Sequence, residues 1–122
     1  MTAKEYLKKA YNINQSIDVK KELLKSIEES MHLATDQLLL TKLQKEKKKL
    51  KTALDKDIHT KMTILGIIEN IDDFILKSVL LYKYICGMTN EEIGHKLNYT
   101  TRHIVRMHTK AVTEAEKFYK IA

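Results

Sequence analysis

Proline is absent from this 122-residue chain, and glycine occurs only at Gly66, Gly87 and Gly94. So few breakers leave little sequence for the turns of a multi-stranded sheet. Cys86 is the one cysteine, which excludes an intrachain disulfide and fits a reduced cytosol. Its apolar neighbours predict a buried thiol, not a nucleophile. No stretch approaches the roughly 18 apolar residues of a membrane-crossing helix, so no membrane partner is expected. The opening MTAKEYLKKAYN is polar, and a signal peptide is not expected. Arginine is scarce as well: both copies, Arg102 and Arg106, fall between His95 and Ala111, a window without Asp or Glu.

What the chain has in quantity is Lys, Leu, Glu, Ile and Ala, the composition of long amphipathic helices. The predicted fold class is all-α, a long N-terminal helical hairpin or coiled coil followed by a C-terminal helix-turn-helix. The net charge of +6, from 22 basic and 16 acidic residues, favours an acidic partner such as nucleic acid.

Residues 2–33 read as one helix. Ala10, Ile17, Leu24 and Met31 recur every seven positions, with Ile13 and Ile27 beside them, and Thr2 with Glu5 forms a possible capping box. Residues 34–37 read as a turn in which Thr35 or Asp36 caps the next helix. That second helix, about 37–70, carries a stripe of Leu43, Leu50, Leu54, Ile58, Leu65 and Ile68. Within it lies KLQKEKKKLK, residues 42–51. Leu43 and Leu50 interrupt the lysines at heptad spacing, so the run reads as a solvated helix surface that leaves weak phosphate contact open. Two such helices bury their stripes against each other, against another copy, or both. The domains are therefore expected to be 1–70, for oligomerisation or partner binding, and 71–122, with a hinge near 69–73.

Phe74 to Cys86, FILKSVLLYKYIC, is apolar on most sides and predicts a buried helix. Ile71, Phe74, Ile75, Val79, Leu80, Tyr82 and Ile85 are its candidate core residues, and Gly87 ends it. Thr89-Asn90-Glu91-Glu92 then has the form of a capping box opening a short helix to about Leu97. Ile93 and Leu97 face inward, and Gly94 between them marks a close crossing that Gly or Ala suits. Asn98-Tyr99 is the turn, where Asn tolerates a left-handed backbone. Thr100 caps the last helix, whose inward stripe is Ile104, Met107 or His108, Ala111, Ala115 and Phe118. Thr101, Arg102, Val105, Arg106 and Thr109 point outward, at the end a helix-turn-helix presents to the major groove. Arg forks suit guanine edges and phosphates, and free N–H groups at the helix start suit a phosphate. Lys96, Tyr99, Thr100, His103, Thr109 and Lys110 are the candidate phosphate contacts.

Phe74 to Ala115 resembles region 4 of sigma-70-type factors and related phage regulators. The pattern is carried by Thr89, Glu91, Glu92, Ile93, Gly94, Leu97, Thr100, Ile104, Arg106, Lys110, Ala111 and Val112. The whole chain is similar to small sigma-like proteins of Gram-positive phages and mobile elements, described as late-transcription or autolysin-regulator-type activators. The resemblance implies a bacteriophage or mobile-element regulator in the cytoplasm of a bacterial host, with double-stranded DNA and RNA polymerase as partners and a possible homodimer through the hairpin. Carried over by position, Thr101, Arg102, Val105 and Arg106 are the base-facing set. Val105 departs from the polar residue usual there, and suits a thymine methyl or a weaker readout. No stretch corresponds to sigma region 2, so promoter melting is not expected.

No enzyme, cofactor or metal is expected. His103 and His108 are five apart, unlike the i, i+4 spacing of a helical metal pair, and no Cys pair or carboxylate completes a site. Both are expected to touch a phosphate or to cap the core. Tyr82, Tyr84, Tyr99 and Tyr119 are candidates either for stacking on bases or for packing in the core, and Tyr99 for reaching the DNA backbone. Two other readings stay open: a small-terminase-like DNA-packaging adaptor, which would form a ring, and an interaction module that binds a host or phage protein.

Overall fold

A computed structural model describes residues 1–119. Every regular element among them is helical, as the composition predicts: α1 (Ala3–Leu33), α2 (Gln37–Glu69), α3 (Phe74–Leu80), a π-helical turn (Leu81–Ile85), α4 (Asn90–Leu97) and α5 (Thr101–Tyr119). Residues 120–122, the end of the expected C-terminal domain, lie outside the described residues. Among the described residues, no helix is long and apolar enough to cross a membrane.

Local chemistry sets the helix ends. The Thr2 hydroxyl accepts from the Glu5 N–H (3.2 Å), and Asp36, not Thr35, caps α2 by accepting from Leu38 (3.1 Å). Asp73 caps α3 through Leu76 (3.0 Å). After the π turn, Gly87 takes φ 74°, and the Met88 N–H returns to the Tyr82 carbonyl (2.9 Å), which closes the helix end.

The chain divides into two compact units: Met1–Asn14 with everything from Lys61 onward, and Gln15–Thr60. These units do not coincide with the expected domains 1–70 and 71–122. The reason is one apolar cluster in the first unit that joins Leu7 and Ala10 of α1, Ile64, Ile67 and Ile68 of α2, Ile71, Leu80, Tyr84, and Ala111 and Ala115 of α5. Small Ala side chains let neighbouring helices approach closely. Two further contacts fasten α1 to α5: the Ala3 N–H donates to Glu116 (3.0 Å), and the Tyr6 and Tyr119 rings meet at 5.2 Å. A second cluster gathers Val79, Ile93, Ile104 and Met107.

In the second unit α1 and α2 run antiparallel, tied by Lys47–Glu28 (3.4 Å) and by Asp57, which accepts from Lys20 (2.5 Å) and Ser16 (2.8 Å). Burial works to raise the Asp57 carboxyl, but the bonds from Lys20 and Ser16 outweigh it and hold the group below its ordinary value. The expected stripe residues Ile17, Leu24, Ile27, Met31, Leu43, Leu50 and Leu54 are half-buried, and Ile58 is exposed.

Two core expectations need correction. Phe74 is 73% exposed, because it stands at the first position of α3, ahead of the turn that packs. Cys86 is exposed: it is the cap residue at which the chain leaves the π turn. Tyr84, left open between base stacking and core packing, is buried and is the largest sealed side chain in the core. Ile71, Val79 and Leu80 are buried as expected, with Ile75, Tyr82 and Ile85 half-buried.

Candidate functional site

α4 and α5 place the outward residues by a short chain of local contacts. Thr89 and Glu92 form a reciprocal capping box: the Glu92 N–H donates to the Thr89 hydroxyl (3.2 Å), and the Thr89 N–H donates to the Glu92 carboxylate (3.2 Å). α4 ends at Asn98 in the left-handed conformation (φ 61°, ψ 43°), and the Tyr99 N–H bonds back to the Gly94 carbonyl (2.9 Å). A Cβ on Gly94 would lie 2.6 Å from the Tyr99 carbonyl oxygen. Even Ala would therefore force the backbone to shift, which corrects the expectation that Gly or Ala suits this crossing.

Thr100 then starts α5. Its hydroxyl accepts from the His103 N–H (3.1 Å) and its carbonyl from Ile104 (3.1 Å). The Thr101 and Arg102 N–H groups, as the first two of the helix, have no acceptor within it. Ile104, Met107, Ala111 and Ala115 are buried, and the steps of three and four rotate Thr101, Arg102, Val105, Arg106 and Thr109 to the exposed side. Phe118, the last expected stripe residue, is half-buried.

Asn98, Tyr99, Thr100, Arg102, His103 and Arg106 line one shallow depression of about 390 Å³ at the start of α5. The Tyr99 and His103 rings meet there at 4.8 Å. Both arginines thus share one surface with the start of α5. Lys96, Thr101, Val105, Thr109 and Lys110 are exposed but do not line the depression, and the Thr109 hydroxyl bonds its own helix at the Val105 carbonyl (3.2 Å).

The two histidines part ways. His103 is exposed beside the arginines, whereas His108 is half-buried and hydrogen-bonded to the Tyr84 hydroxyl (2.5 Å). Burial, and then Lys83, Lys4 and Lys8, push its pKa down to about 4, so the ring is neutral. Burial also raises the Tyr84 hydroxyl to about 12. Of the remaining stacking candidates, Tyr82 packs in part against the second cluster and Tyr119 against the first. Among the described residues no three His, Cys, Asp or Glu side chains converge as a metal would need.

The sequence reading missed the other side of α5. Lys83 and Asn90 bond each other (2.8 Å) in a recess that also holds His108 and Tyr84. The one signal available was Lys83 inside the mostly apolar run 74–86.

Comparison with protein-family models, curated proteins and solved structures finds no match for the chain.

Proposed function

We propose that the chain is a sequence-specific DNA-binding regulator of transcription. In this reading α4 and α5 form a helix-turn-helix similar to sigma region 4, and the outward side of α5 enters the major groove. One observation carries the reading: both arginines of the chain share an exposed, carboxylate-free surface with the start of α5. Arg102 and Arg106 read base edges, flanked by Thr101 and Val105, while the helix start, Lys96 and Lys110 hold phosphates. The mechanism is recruitment or repositioning of RNA polymerase at a late promoter of a phage or mobile element, in the cytoplasm of the host.

A single helix-turn-helix buries little surface, so useful affinity calls for a second copy or a polymerase contact. In this reading a second copy covers the exposed Val19 and Leu23 on Gln15–Thr60.

The test is selection from random duplex DNA by the purified chain, with Arg106→Ala in parallel. The expected result is a defined motif, and the variant loses about 1–3 kcal/mol together with discrimination at one position. A folded protein that recovers no motif, with or without polymerase, would sink the reading and favour an interaction module. A closed ring in solution would favour the packaging adaptor.

A further inference from the structure

Apart from the depression at the start of α5, the first unit holds a recess of about 500 Å³. Lys4 and Lys8 of α1, Lys83 and Tyr84 of the π turn, Asn90 of α4 and His108 of α5 contribute to its wall, and no carboxylate does. Among the described residues, none of the three lysines belongs to a salt bridge. Three unneutralised ammonium groups around one recess repel each other, and their field helps to keep His108 uncharged. Such an arrangement is relieved by an anion.

The neutral groups are also set for one. Lys83 donates to the Asn90 side-chain oxygen (2.8 Å), which fixes the amide so that its NH₂ remains a free donor. The Tyr84–His108 bond holds both rings in place. The π turn is itself pinned, because the Asn14 amide donates to the Tyr84 carbonyl (2.9 Å). π turns recur at functional sites, since they re-aim side chains that an α-helix would bury or expose differently. The recess has the size of small-molecule sites, which span roughly 300–1,000 Å³. A duplex backbone needs an open basic stripe, and here the charge comes from separate elements around a concavity.

We propose that this recess binds a small phosphate-bearing anion, with Lys4, Lys8 and Lys83 supplying charge and Asn90 a directed hydrogen bond. The ligand would join α1 to the elements that carry α4 and α5. Lys gives point-charge phosphate contacts, in contrast to the guanidinium forks of Arg102 and Arg106.

The experiment titrates pyrophosphate, and separately inorganic phosphate, into the full chain at neutral pH and constant ionic strength. The readouts are melting temperature and the NMR signals of the His108 ring and the Asn90 side-chain amide. A saturable rise in melting temperature with shifts at both groups is expected. Lys8→Gln combined with Lys83→Gln should weaken it by about tenfold or more, whereas Lys45→Gln with Lys48→Gln should not. Should the Lys83 variant fail to fold, Lys4→Gln with Lys8→Gln, both at exposed positions, serves instead. The proposal is overturned if chloride at equal ionic strength reproduces the effect, or if the effect survives the pocket variants. It is equally overturned if those variants weaken duplex DNA binding while pyrophosphate shows no saturable binding, because the lysines would then serve the duplex.

Discussion

Leu7, Ala10, Ile64 and Ile68 are sealed from water in the first unit, whereas on the same two helices no side chain within Gln15–Thr60 is sealed. There Val19 is 59% and Leu23 50% exposed, and the stripe residues are only half-covered. The difference teaches where α1 and α2 get their stability. Helices draw most of it from burying an apolar face, not from intrinsic propensity. Near Leu7 and Ile68 that face meets α5 and Tyr84; within 15–60 two helices alone leave part of it wet.

The largest expected effect tests this contrast directly. Ile68→Ala should cost about 2–5 kcal/mol in urea denaturation, whatever the protein concentration. Leu50→Ala should cost less, and its cost should depend on concentration. An equal, concentration-independent loss from Leu50→Ala would erase the distinction between the units. Next, Val19→Glu with Leu23→Glu should shift the mass measured by analytical ultracentrifugation from dimer to monomer while the Ile68 core still melts cooperatively. An unchanged mass would mean that these side chains cover no second copy. Gly94→Ala, confined to the first unit, should cost about 1–3 kcal/mol, since its Cβ would sit 2.6 Å from a backbone oxygen. Retention of full stability and DNA affinity by this variant would show that the crossing of α4 and α5 is set elsewhere.

A further effect is a pH dependence carried by the first unit. His108 has a folded pKa of about 4, below the ordinary 6.5, so the unfolded chain takes up its proton first. Stability should therefore fall as pH drops from about 6.5 towards about 4, and His108→Gln should flatten that part of the profile. A profile as steep in the variant as in the parent would assign the effect to another group.

Much of the helical layout was legible because it is written locally. The Thr89 box, left-handed Asn98, the Thr100 cap and the Ile104–Met107–Ala111–Ala115 stripe each depend on residues within a few positions of one another. The packing of α1's first turns beside α5 was not legible. Leu7 and Ala111 are remote in sequence, and periodicity tells which face is apolar without telling what will cover it. The same limit explains Tyr84: an aromatic in an apolar run reads equally as core or as a stacking surface, and only its neighbours decide. Phe74 and Cys86 were misread because both stand at helix ends, where the chain turns away and hydropathy alone predicts burial poorly.

The contact between Gly94 and the Tyr99 carbonyl has a consequence for how α5 can change over time. Backbone and buried side chains fix the pitch of that helix, so its five outward residues carry almost none of the fold. Thr101, Arg102, Val105, Arg106 and Thr109 can be exchanged without rebuilding their support. A protein built this way can be retargeted one surface residue at a time, by drift or by design, while the frame beneath stays the same.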